Sequence, residues 1–220
     1  FYRMGAGYLR FTDGDYRGAI GILEDLQGGT DAESKFAFPL IAMSAVRLNE
    51  FGLAEEYIVR ANPIFASDTA NSVNRKNFRA AIALAYVYRN LGQDRRADRL
   101  LDEASQVVGS MRRIGLGGHG ISDVHIFALQ GRKDAALDAL RDAIDEGFVS
   151  LISYGLWTLD QDPLVDTLRG DERFRTMKLE LDQKIERMRE NVEHAEESGD
   201  WNELLARVRK TELTAAVLGP

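Results

Sequence analysis

The stretch Phe78-Arg79-Ala80-Ala81-Ile82-Ala83-Leu84-Ala85-Tyr86-Val87-Tyr88-Arg89-Asn90-Leu91-Gly92-Gln93-Asp94-Arg95-Arg96-Ala97 decides the fold. Ala81, Leu84, Ala85 and Tyr88 recur at three- and four-residue spacing, which gives a helix over 78–90 one apolar face. Gly92 turns the chain, and Ala97, Leu100, Leu101 and Ala104 mark a second helix over 95–108. The pattern predicts two antiparallel helices with a small residue, Ala97, where they approach most closely.

The same signature occurs four times: a Gly or its stand-in, a Tyr, Phe or polar residue two later, and an Ala three after that. It reads Gly14-Asp15-Tyr16-Arg17-Gly18-Ala19, Asn49-Glu50-Phe51-Gly52-Leu53-Ala54, Gly92 to Ala97, and Gly131-Arg132-Lys133-Asp134-Ala135-Ala136. The alanines are 35, 43 and 39 residues apart, one 34-residue tetratricopeptide (TPR) period plus loop insertions. The first repeat is expected as helices over 1–12 and 16–26, with Gly7 and Ala19 permitting close approach and 27–31 breaking the chain. The second is expected over 34–48 and 53–61, followed by a longer loop over 62–74. The fourth is expected over 122–130 and 134–146, after a glycine-rich break at 115–120. The reading is all-α: a TPR-like helix-turn-helix solenoid of about four repeats over 1–146, with C-terminal capping helices over 147–220.

Beyond Gly147 the pattern changes. Residues 148–157 are aromatic and apolar and are expected to fold back over the end of the stack, which would otherwise present an apolar face to water. Asp160-Gln161-Asp162-Pro163 reads as a turn into a short helix bearing Leu164, Val165 and Leu168. A long helix over 172–197 follows, with Phe174, Met177, Leu181, Ile185, Met188 and Val192 on one stripe. Gly199-Asp200 stops it, and 201–208 begins a last helix.

Composition excludes several classes of function. With a net charge of −7 and a pI near 5.1, the chain is a poor ligand for duplex nucleic acid, where affinity comes from neutralising phosphates, or for an anionic membrane surface. It has no cysteine, so disulfides, cysteine–zinc sites and thiol catalysis are excluded. No run of 18 apolar residues exists to span a bilayer. The chain starts at Phe1, inside a helical pattern, and is expected to be a piece of a longer protein; its compartment, bacterial cytoplasm or periplasm, depends on what precedes it.

Gly118-His119-Gly120-Ile121-Ser122-Asp123-Val124 and Ala128-Leu129-Gln130-Gly131-Arg132-Lys133-Asp134-Ala135-Ala136-Leu137 resemble the last repeat of a bacterial signalling family. So does the tail, Leu159-Asp160-Gln161-Asp162-Pro163-Leu164, Leu168-Arg169-Gly170-Asp171-Glu172-Arg173-Phe174 and Arg187-Met188-Arg189. In that family a TPR array sits behind an effector, an adenylate/guanylate cyclase or a CadC-like winged-helix regulator, frequently with a membrane helix and a TolB-like segment between. The resemblance covers about 78–190. It implies a signalling context and carries no catalytic residues to this chain.

In a TPR array the first helix of each pair lines a concave groove. Counted from the signature alanines, those positions are Met4, Tyr8 and Phe11; Phe36, Met43 and Arg47; Arg79, Tyr86, Arg89 and Asn90; and Ile121, His125 and Leu129. Aromatic, Met and Arg side chains suit a peptide with apolar anchors and a carboxylate. Equally, Tyr8, Phe11 and Tyr86 are expected core residues, or residues covered by the C-terminal helices. The Lys/Asn set of a chaperone-tail clamp is absent. The 115–120 loop follows no strand and precedes no Lys-Ser/Thr, so it reads as a connector rather than a phosphate cradle. Asp123 and His125 are two apart on a helix and diverge, and no ligand set is spaced for a metal.

The expected function is therefore that of a sensory or regulatory interaction module without catalysis or cofactor, holding a protein or peptide partner, or a neighbouring domain, in its groove. The alternative is a homodimerisation module acting through the Phe174–Val192 stripe, which otherwise lies along the outside of the stack.

Overall fold

The computed structural model describes residues 2–26, 31–67, 70–111, 119–149, 158–198 and 201. The breaks expected at 27–31 and 115–120, most of the apolar stretch 148–157 and the helix at 201–208 lie largely or wholly outside them. Nine α-helices stand among the described residues: α1 Tyr2–Thr12, α2 Tyr16–Glu24, α3 Asp31–Arg47, α4 Phe51–Ala61, α5 Phe78–Asn90, α6 Asp94–Gly109, α7 His119–Leu129, α8 Lys133–Asp145 and α9 Glu172–Ser198. Short 3-10 turns occupy Pro63–Ala66 and Pro163–Leu168. No strand occurs among these residues. Helices pair as α1/α2, α3/α4, α5/α6 and α7/α8, and each pair packs on the next through α2/α3, α4/α5 and α6/α7.

The four hairpins share one turn, and the signature residues build it. Gly14, Asn49, Gly92 and Gly131 have φ of 82°, 59°, 71° and 73°, the left-handed region where a side chain is strained and Gly or Asn is favoured. The next residue donates its N–H to the carbonyl five positions back: Asp15 to Arg10 at 2.9 Å, Glu50 to Ala45 at 2.8 Å, Gln93 to Tyr88 at 2.8 Å and Arg132 to Phe127 at 2.9 Å. That residue's own carbonyl then accepts from the signature alanine, at 2.9 Å from Ala19, 3.0 Å from Ala54, 3.1 Å from Ala97 and 3.0 Å from Ala136. All four alanines are fully buried. The turn recurs once more after α8, where Gly147 has φ 99° and Phe148 donates to Ala143 at 2.8 Å.

Close approach has a measurable cause at the first hairpin. A Cβ on Gly7 would lie 2.6 Å from Leu23, whose side chain is fully buried and would have to shift within a packed core. Polar bridges join neighbouring hairpins: Arg17 reaches Glu50, Arg96 reaches Glu55 at 3.4 Å, and Gln130 reaches Asp102 at 3.4 Å.

Several boundaries differ from the sequence reading. Helix α3 begins at Asp31 rather than Ser34 and α7 at His119 rather than Ser122. The expected loop over 62–74 contains a 3-10 turn with Phe65 buried. Its far end is fastened by Glu103 of α6, whose carboxylate accepts from Asn71 N at 3.1 Å, Ser72 Oγ at 3.2 Å and Val73 N at 3.0 Å.

Two sets of buried side chains fill the interior. The larger runs through α1 to α6 and takes in Ile126 and Leu164. The smaller joins α7 and α8 to Leu159, Val165 and Leu168 and to Phe174, Met177 and Leu181 of α9.

Candidate functional site

Helices α3 and α7, first helices of the second and fourth hairpins, each present one polar side chain to the same short segment of the chain. From α3, Arg47 Nη1 donates to the backbone carbonyl of Gln161 at 2.8 Å, while its guanidinium lies 5.6 Å from the Tyr16 ring centroid, a cation–π distance. From α7, His125 Nε2 and Asp162 Oδ2 share a hydrogen bond of 2.6 Å. From α5, Tyr86 packs edge-to-face against Phe51 with ring centroids 6.1 Å apart, and burial first, then the field of Asp166, raises its hydroxyl pKa.

The segment makes its own shape. Pro163 at the first helical position has φ fixed for a turn and lacks the N–H that would go unused there. It also pushes Asp162 into extended backbone, observed at φ −74° and ψ 110°. From there Asp162 Oδ1 caps the turn by accepting from Leu164 N at 2.9 Å. Its backbone carbonyl accepts from Arg169 Nη2 at 2.8 Å, and Arg169 Nε also reaches Asp166 at 2.6 Å. Asp162 is thus only 7% exposed yet has every oxygen partnered, as a buried carboxylate requires. Leu164 enters the core of the first three hairpins, and Val165 and Leu168 enter that of the fourth and α9.

Of the groove positions read from sequence, Arg47 and His125 meet the same segment, and Tyr86 packs on Phe51. Phe11 takes the core place that the sequence also allowed it: it is 3% exposed, with its ring edge-to-face against Tyr16 at 5.6 Å. Tyr8 and Met43 are half-buried against the same core. Arg89 is held by Asp94 at 2.9 Å and Asp98 at 2.5 Å, and Asn90 Nδ2 donates to the Tyr86 carbonyl at 2.9 Å; both serve the α5/α6 turn. Arg79 lies 5.4 Å from the ring of its neighbour Phe78. The sequence reading found the Asp-Pro turn but not its docking place, because its partners stand 37 and 114 residues away.

A second polar cluster fastens α9 to α8. Arg173 reaches Asp134 at 2.6 Å and Asp171 at 3.3 Å, Lys133 reaches Asp171 at 3.2 Å, and Arg141 reaches Glu180 at 2.8 Å. Hydrogen bonds from Arg173, side chain first and then backbone, hold the Asp171 carboxyl well below the usual range. These pairs are mutually satisfied and point to no ligand.

Among the described residues no group of three or more His, Asp or Glu is arranged to hold a metal ion, and no helix is long and apolar enough to cross a membrane. Compared with protein-family models, curated proteins and solved structures, the chain matches none of them.

Proposed function

We propose that this chain is a TPR-like interaction module, the sensory or regulatory part of a larger bacterial signalling protein, and that its inner face holds a peptide-like segment of a partner or neighbouring domain. The observation that carries the reading is the convergence of Arg47 from α3 and His125 from α7 on a single extended-then-turned segment. Such a face contacts backbone carbonyl, carboxylate and apolar side chain at once, which is how helical-repeat grooves take linear segments. The four equivalent hairpins support the TPR-like assignment. Selection of displayed peptides on the chain tests the function. Arg47→Glu and His125→Ala should each abolish the selected binding, while Arg95→Glu, on the exposed side of α6, should leave it intact. Binding that ignores the first two substitutions contradicts the reading.

One observation favours a second reading, dimerisation. Along α9 the stripe is buried at Phe174, Met177 and Leu181, but Met188 and Val192 on the same face are 46% and 41% exposed. Pairing of that half with a second copy would cover them. Light scattering should then give a dimer that Met188→Glu with Val192→Glu dissociates, and a monomer at high micromolar concentration contradicts it.

A further inference from the structure

The inner face already has an occupant, and the occupant is held differently on its two sides. Toward the first three hairpins the grip is narrow. It consists of the Arg47 hydrogen bond to the Gln161 carbonyl and of Leu164 in the larger core. Toward the fourth hairpin and α9 it is broad, through the His125–Asp162 contact and through Leu159, Val165 and Leu168 in the smaller core.

The polar contacts and the Leu164 site read features that any polypeptide can offer. A guanidinium on a backbone carbonyl, an imidazole on the next residue's carboxylate and an apolar site for the residue two further on define a short pattern: any residue, then Asp-Pro-Leu. That pattern is shaped before it docks, since Pro163 and the Asp162 cap set the turn locally, and a preorganised segment loses little entropy on binding. Of its carboxylates, Asp162 is the one that meets the face, at His125; Asp160 pairs with Lys178 of α9 and Asp166 with Arg169 of the turn itself.

Resting on the partner-binding reading above, we infer that residues 160–166 are a built-in competitor. The partner this face recognises is a protein segment carrying an acidic Asp-Pro-Leu turn, which binds by taking their place. A tethered segment competes at an effective concentration of order millimolar, so the intact chain binds such a partner weakly and a chain with its own segment disabled binds it more tightly.

The test uses a labelled synthetic peptide of residues 158–169, titrated by fluorescence anisotropy into the unaltered chain and into Asp162→Ala with Leu164→Ala. At least tenfold tighter binding to the altered chain is expected, lost when Arg47→Glu is added and lost when the peptide's own Asp-Pro aspartate is replaced by alanine. Equal affinity for both chains, no binding, or indifference to Arg47→Glu overturns the inference. If the altered chain lacks a cooperative thermal transition, hydrogen exchange of the unaltered chain decides. Unlabelled peptide at millimolar concentration should speed exchange at 159–168, and unchanged protection overturns the inference. Displayed peptides separate the two readings: Arg47-dependent binders without an acidic turn leave the groove function standing and remove this inference, and the absence of any Arg47-dependent binder removes both.

Discussion

His125 Nε2 lies 2.6 Å from Asp162 Oδ2, tying the first helix of the fourth hairpin to an acidic turn 37 residues downstream. The same carboxylate caps that turn through Leu164 N, so one buried side chain both shapes the segment and docks it.

Separating those two roles gives a first expectation. Asp162→Asn retains an oxygen for the cap but loses the charge facing His125, and should cost about 1 kcal/mol. Asp162→Ala loses both and should cost about 2–3 kcal/mol. Urea unfolding midpoints measure both, and the second effect should shrink when His125→Ala is already present.

The shared turn geometry sets a second. Nothing lies within 4 Å of a Cβ placed on Gly92, Gly131 or Gly52, but only the first two have positive φ. Gly92→Ala and Gly131→Ala should therefore each destabilise by about 1–2 kcal/mol through backbone strain alone. Gly52→Ala, inside α4, should be neutral or stabilising by up to about 1 kcal/mol. Thermal unfolding of the three variants checks the contrast.

Helix approach sets a third. Gly7→Ala puts a methyl 2.6 Å from the buried Leu23 and should cost about 1–3 kcal/mol by overpacking. Leu23→Ala added to it should relieve the clash, so that the pair costs less than the two separate losses combined.

Acid sensitivity is expected at the α8/α9 seam. Arg173 depresses the Asp171 pKa in the folded chain below its unfolded value. The stabilisation this gives is present above the ordinary carboxylate range near pH 4 and is lost as pH falls through the folded value. Asp171→Asn should flatten the decline in stability below about pH 4, followed by chemical denaturation at stepped pH.

The hairpins were legible because their determinants are local: a residue tolerating φ > 0 and an alanine five positions on lie within one turn of chain. The Asp162-Pro163 turn was legible for the same reason, as were Leu164, Val165 and Leu168 as its apolar positions. Where that turn docks was not, because Arg47 and His125 meet it across long stretches of chain. Periodicity also placed Met177 and Met188 on one face of α9 without saying that only the first is covered: spacing identifies a stripe, and neighbours decide whether it is buried. Phe11 illustrates the same limit, since helical register gave its face but not Tyr16 closing over it.

The most direct test places a photo-crosslinking amino acid at position 86 of the chain expressed in cells, with the exposed position 95 as the control. Expected is an adduct with a second polypeptide from position 86, absent from position 95 and reduced by Arg47→Glu. Adducts confined to the chain's own residues under every condition, or the same adduct from position 95, would contradict a partner-binding inner face.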